Sequence, residues 1–141
     1  LDKFKQGQSA LNQAYDIQKI AAGVGFDWNE LTPVLDKIEE ELGECKEIIG
    51  ANPDNTLFTH QDLNQGQQQK LESEIGDLLF AVVNLARFKE INTELALLKT
   101  ILKFKNRFKF IEQRIVDEQA AFEDYNLEEL DQIWNEAKKE E

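Results

Sequence analysis

An all-α helical bundle is the fold class this sequence predicts. Three observations carry that reading. Apolar residues recur at three- and four-residue intervals in five segments, no segment alternates as a half-buried strand does, and several segments open on helix-capping residues. At 141 residues the chain has the size of one domain, and an apolar content of 41% argues against disorder. The net charge of −12 excludes a generally basic nucleic-acid footprint and disfavours adhesion to an anionic membrane. It leaves room for a phosphorylated small ligand held by a few local cations and a divalent metal. The one cysteine, Cys45, cannot form an internal disulfide, which fits a reducing compartment. With no bilayer-length apolar run and no signal-peptide pattern, a cytoplasmic soluble domain is expected. There is no methionine, even at position 1, as expected of a piece cut from a longer protein.

Residues 1–8 are polar and read as an arm or linker ahead of one helical domain over 9–141. Ser9 is a suitable N-cap for a first helix through Leu11, Tyr15, Ile17 and Ile20, which Gly23-Val24-Gly25 ends. Phe26-Asp27-Trp28 follows as an aromatic turn, read as a hydrophobic plug rather than a binding feature. Thr32-Pro33 signals the start of a second helix to Ile49, with Leu35, Ile38, Leu42, Cys45 and Ile49 on its apolar face. On that stripe Cys45 reads as a small core residue, not a nucleophile. Periodicity then stops, and about 50–68 reads as a long polar loop in which His60 is a solvated histidine with no partner ligand nearby. The central helix is expected from near Gln68 to Phe88. A long helix capped by Thr93 follows from Glu94 to about Gln119, with Leu97, Ile101, Phe104, Phe108, Ile111 and Ile115 as its stripe. The last helix starts at Asn126, where Glu129 completes a capping-box pattern, and turns Leu127, Leu130 and Trp134 inward.

Two acids sit inside the most apolar of these helices. Glu74 lies in line with Leu71, Leu78, Ala81 and Leu85, and Asp77 lies one turn away. A carboxylate on a core stripe needs a partner, a metal or a proton, so an edge ion pair and a metal or charged-ligand site are both open. The second helix carries Glu40, Glu41 and Glu44 along one flank, with Glu39 beside them, which suits either a solvated face or a cation site. Packed antiparallel, Glu41 and Glu44 can meet Glu74 and Asp77. Four oxygen ligands and no histidine suit Mg²⁺ or Mn²⁺ better than zinc, and no E-x-x-H pair supports a di-iron bundle. Magnesium held by carboxylates completes its shell with water and phosphate oxygens, so cations are expected at matching spacing. Lys103 and Arg107 stand at i,i+4, and Lys138 shares a face with Trp134. Taken singly, each is also an ordinary surface cation.

In these residues the chain resembles the MazG family of all-α nucleoside triphosphate pyrophosphohydrolases. The family signature E-E-x-x-E followed by E-x-x-D reads here as Glu40-Glu41-Leu42-Gly43-Glu44 and Glu74-Ile75-Gly76-Asp77. The stretches QKIAAGVGFDW (18–28), VLDKIEEE (34–41), EIGDLLFAVVNLAR (74–87), KFKNRF (103–108) and LEELDQIWNEAK (127–138) extend the likeness over nearly the whole chain. It is most like the C-terminal domain of two-domain bacterial members. The resemblance implies a four-helix core, a homodimer whose last helix reaches the partner's site, and Mg²⁺-dependent hydrolysis of a nucleoside triphosphate to monophosphate and pyrophosphate. Carried over by position, Glu41, Glu44, Glu74 and Asp77 match the metal-binding acids. Lys37, Glu40, Lys70 and Glu72 fall in segments around the nucleotide, while Lys103, Arg107, Trp134 and Lys138 match phosphate-binding and base-side positions. The chain departs from the pattern at Ile101, where a polar residue is common, and in the longer stretch between Glu44 and Glu74.

The expected mechanism has water attacking the α-phosphorus, with Glu40 as the extra carboxylate that orients it or takes its proton, Glu41 among the metal-binding acids, and Lys103 and Arg107 stabilising the departing pyrophosphate. The competing reading is a catalytically silent nucleotide-sensing or dimerisation module. Decay toward such a module would erode the acid quartet first. Here all four acids stand, which favours the enzyme.

Overall fold

The computed structural model describes residues 1–50 and 63–141. Among these every regular element is helical, as expected: α1 (Ala10–Gly23), α2 (Leu31–Ile49), α3 (Gln65–Phe88), α4 (Thr93–Asp117) and α5 (Leu127–Lys139), with a single 3₁₀ turn at Phe122–Asp124. His60 and most of the polar stretch expected as a loop lie outside the described residues. No helix among the described residues is long and apolar enough to cross a membrane. The chain forms two compact units, Leu1–Glu94 and Leu95–Glu141.

Helices α1, α3 and α5 start at side-chain caps. Ser9 Oγ accepts from the Asn12 amide, as anticipated. Helix α2 begins at Leu31, two residues before Pro33, and Glu30 caps it without a side-chain bond. Thr32 is therefore not the cap. Proline is accommodated because it falls in the first turn, whose amides have no intrahelical acceptor. Helix α3 starts at Gln65 rather than Gln68, since Asn64 and Gln67 form a reciprocal capping box at 2.8 and 2.9 Å. Helix α4 stops at Asp117, where Gln119 turns to a φ of 55° and the Ala120 amide bonds to Ile115 O at 3.0 Å. The Asn126–Glu129 box stands at the head of α5 as predicted. The polar arm is tied to α1 through Gln8 Nε2 on Asp16 (2.6 Å) and Gln13 Nε2 on two arm carbonyls.

In the first unit α3 is the common element, packed along α2 and against α1. Val34 and Val83 are fully enclosed, and burying each stabilises the fold by about 1.5 kcal/mol. The α2 stripe differs from the expected one. Leu35 and Leu42 are more than 40% exposed, while Val34, Glu41 and Cys45 are buried. The packed face is turned by one residue, so a carboxylate takes the place expected for leucine. On α3 the stripe is as read: Ala81 is buried and Leu71, Glu74, Leu78 and Leu85 are partly buried.

In the second unit Ile111 and Ile115 of α4 pack with Ile133 of α5, and Phe110, Tyr125, Leu130 and Trp134 close around them. Two expectations fail here. Leu127 is 81% exposed, because it is the first helical residue and precedes the turn that packs. The first part of the α4 stripe is also uncovered, with Leu97, Ile101, Phe104 and Phe108 between 38% and 56% exposed.

Candidate active site

The buried face of α2 and the apolar stripe of α3 bring three carboxylates together. One oxygen from each of Glu41, Glu44 and Glu74 lies within 4.8 Å of the others. Glu41 is 5% exposed, and Lys37, one turn before it, places Nζ 3.0 Å from Oε1. The same ammonium lies 3.3 Å from Glu40 Oε1. Only one oxygen of Glu41 is paired, however. Glu41 Oε2 and Glu74 Oε2 are both buried and have no hydrogen-bond partner among the described residues.

The electrostatics reflect this crowding. The neighbouring Glu44 carboxylate, then burial, then Glu41 push the Glu74 carboxyl up to about 7. Glu41 moves the other way because the Lys37 ammonium holds it low, against the effect of its burial. Cys45 is buried beside the acids, and burial followed by the charges of Glu74, Glu41 and Glu44 raises its thiol. It is a protonated core residue, as read from the sequence.

Asp77 stands apart from this triad. It lines, with Lys37 and Glu41, a cavity of about 600 Å³ between α1, α2, α3 and the turn that joins α1 to α2. Phe26, Asp27 and Trp28 form one wall of that cavity. The turn is held open by Arg87, whose Nη2 and Nη1 lie 2.6 and 3.1 Å from the two oxygens of Asp27. The turn is therefore not the hydrophobic plug expected of it. A plug would be covered, whereas Phe26 is 81% and Trp28 47% exposed. The signal for this is in the sequence: an aromatic pair beside an acid, with the matching Arg87 at the end of the acidic helix.

Lys70 is exposed on α3. Glu72 falls two residues before Glu74, hence on the other side of the helix, and lines a separate depression with Gln68, Gln69 and Ile75. Glu40 is half exposed beside Lys37.

The second unit gathers the predicted cations around one anion. Arg107 grips the Glu141 carboxylate in a bidentate pair at 2.6 and 2.9 Å. That guanidinium, with smaller contributions from Lys103 and Lys138, holds the Glu141 carboxyl below its usual range. Trp134 lies under the Arg107 guanidinium at 5.3 Å and against Phe104 at 5.2 Å, so its ring supports the arginine.

The MazG nucleotide pyrophosphohydrolase domain matches residues 30–111, more than half of the chain. The chain belongs to the MazG family. The matched MazG segment contains the acid triad, Asp77, Lys103 and Arg107, and excludes α1, the aromatic turn and α5. Among MazG relatives, the nucleoside triphosphate pyrophosphohydrolase of Escherichia coli K12 is 39% identical over 142 residues, covering all of this chain and 49% of that protein. The nucleoside triphosphate pyrophosphohydrolase/pyrophosphatase MazG of Thermotoga maritima is 41% identical over 129 residues, 92% of this chain and 44% of that protein. The chain is also 46% identical to YabN of Bacillus subtilis, an uncharacterised protein, over 74 residues, 52% of this chain and 15% of YabN. It spans about half the length of the two MazG proteins it matches.

Proposed function

We propose that the chain hydrolyses nucleoside triphosphates to the monophosphate and pyrophosphate, using a divalent metal. The observation that carries this reading is the carboxylate triad, in which two buried oxygens have no partner among the described residues. Three acids sharing so small a volume repel one another unless a cation or a proton is among them. Oxygen donors alone fit Mg²⁺ or Mn²⁺. Glu41, Glu44 and Glu74 would hold the ion, with Asp77 as the fourth acid from the neighbouring cavity wall. When bound, the ion supplies polarisation of phosphate oxygens and acidification of water.

The remaining chemistry falls to the chain's own side chains. Glu40, steadied by Lys37, orients the water that attacks the α-phosphorus and takes its proton. Within the second unit, Lys103, Arg107 and Lys138 match the family's phosphate-binding positions and take phosphate oxygens in place of the Glu141 carboxylate. Trp134 keeps the Arg107 fork in position. Lys70 and Glu72 lie at the edge of the nucleotide-binding segments and have the smallest share. The half-exposed Ile75, Leu79 and Val82 on α3 support a homodimer in which a second copy covers them. The single unpaired thiol suits the cytoplasm.

Incubation with each common nucleoside triphosphate and Mg²⁺, with release of pyrophosphate as the readout, tests the reading. Glu74→Ala and Asp77→Ala are each expected to abolish release. Activity surviving in both sinks the site assignment. Nucleotide binding without turnover by the unmodified chain favours the sensing module instead.

A further inference from the structure

Most of the wall of the 600 Å³ cavity takes no part in holding metal or phosphate. Two of its polar side chains have a hydrogen-bonding group to spare. Gln18 is 8% exposed, the one residue of α1 buried to that degree, and its Nε2 donates to Phe80 O at 3.0 Å. A carbonyl can only accept, so the amide orientation is fixed and Oε1 is left over, buried and without a partner among the described residues. An orphaned acceptor of this kind costs about 1–3 kcal/mol, so its retention on a cavity wall points to a donor that arrives with a ligand. Asn84 is the complement. Its Oδ1 accepts from Arg87 Nη2 at 2.6 Å, and Arg87 is anchored in turn by Asp27. That relay leaves Asn84 Nδ2 as a donor with no acceptor among the described residues.

We propose that this cavity receives the nucleobase of the substrate and that Gln18 and Asn84 are its specificity-determining pair. The inference rests on the nucleotide-hydrolase reading and names the part of the substrate that enters here. One acceptor and one donor match the edge of a nucleobase, where an N–H lies next to a lone pair. The exposed rings of Phe26, Trp28 and Phe80 line the same cavity and offer faces on which a base stacks, worth about 1–3 kcal/mol per base. Glu41 and Asp77 stand on the same cavity wall, so a base in the cavity leaves the phosphate end beside the acids that would hold the metal. The assignment departs from the base-side role that the resemblance implies for Trp134, whose ring is taken by Arg107.

Phosphate-free nucleosides separate this inference from the catalytic reading. In a Trp134→Phe background Trp28 is the sole tryptophan, and adenosine, guanosine, cytidine and uridine are titrated against its emission. Saturable quenching is expected, with at least a tenfold preference among the four. Equilibrium dialysis of the same nucleosides on the unmodified chain should give the same order. Gln18→Leu and Asn84→Leu should each weaken nucleoside binding at least tenfold and raise KM similarly, with kcat and Mg²⁺ affinity unchanged. Asn84→Asp, which replaces the donor by an acceptor, should alter the order of base preference. The inference is overturned if no nucleoside binds while triphosphates are hydrolysed, or if these substitutions leave KM and base preference as they were. Nucleoside binding without hydrolysis supports it while sinking the catalytic reading.

Discussion

Lys37 Nζ lies 3.0 Å from Glu41 Oε1 and pairs only that oxygen of Glu41, leaving Oε2 buried with no hydrogen-bond partner among the described residues. One ammonium is thus set against three neighbouring acids, and the deficit of positive charge is what a divalent ion would correct. Glu74→Gln removes one repelling charge at nearly constant volume. The metal-free variant is therefore expected to melt at the same temperature as the unmodified chain or a few degrees higher. Mg²⁺ at a hundred times its Kd should stabilise the unmodified chain by about 2.7 kcal/mol and the variant hardly at all. Thermal melts with and without Mg²⁺ check both halves, and a full metal response in the variant excludes Glu74 as a ligand.

The same carboxyl sets a pH dependence. Its folded value of about 7 lies above the ordinary 4.5, so the folded state binds the proton more tightly than the unfolded one. Stability from this group is complete below pH 4.5, declines as pH rises toward 7, and is absent above it. Metal binding must displace that proton, so Mg²⁺ affinity should rise with pH up to about 7 and then level off. Calorimetric titrations from about pH 5.5 to about 8.5 should show proton release at the lower end. A pH-independent affinity, or the same slope in Glu74→Gln, would remove Glu74 as the titrating group.

How much of this was legible in the sequence differs between the units. The α3 stripe carrying Glu74 was readable because one acid interrupts an otherwise regular apolar period. The α2 register was not, since Leu35 and Leu42 are better apolar markers than Val34, and only packing on α3 turns Glu41 inward. The caps at Ser9 and Asn126 were plain, whereas Asn64 is hidden because its box partner is one glutamine among many. Gln18 could not be found from sequence. A glutamine on a helix carries no sign of burial until its neighbours are placed.

Arg87 joins the aromatic turn to α3. Its side chain is 12% exposed and that of Asp27 is 26% exposed, and Arg87 foremost holds the Asp27 carboxyl low. Arg87→Ala should cost about 1–3 kcal/mol, as expected when a charge-assisted, partly buried bond loses one partner. Arg87→Lys keeps the charge but loses the two-pronged grip, and should recover less than half of that. Because Asp27 titrates below its ordinary value, the pair's contribution is present above about pH 4 and fades on further acidification. Urea unfolding at about pH 7 and about pH 3 measures both, and equal midpoints for Arg87→Ala and the unmodified chain would show that the turn is held by other contacts.

Leu79 is 53% exposed on α3, so in an isolated chain its replacement by Glu should change stability by no more than about 0.5 kcal/mol. If a second copy covers this face, the same substitution buries a charge with no partner, and the dimer should dissociate. Light scattering after size exclusion is then expected to give twice the chain mass for the unmodified protein and the single-chain mass for Leu79→Glu. Val83→Ala provides the contrast. Val83 is fully enclosed within the first unit, so its truncation should cost stability whatever the assembly state, without changing the mass. A single-chain mass for the unmodified protein at high concentration would leave the exposed leucines without a second copy to cover them, and the homodimer reading would fall.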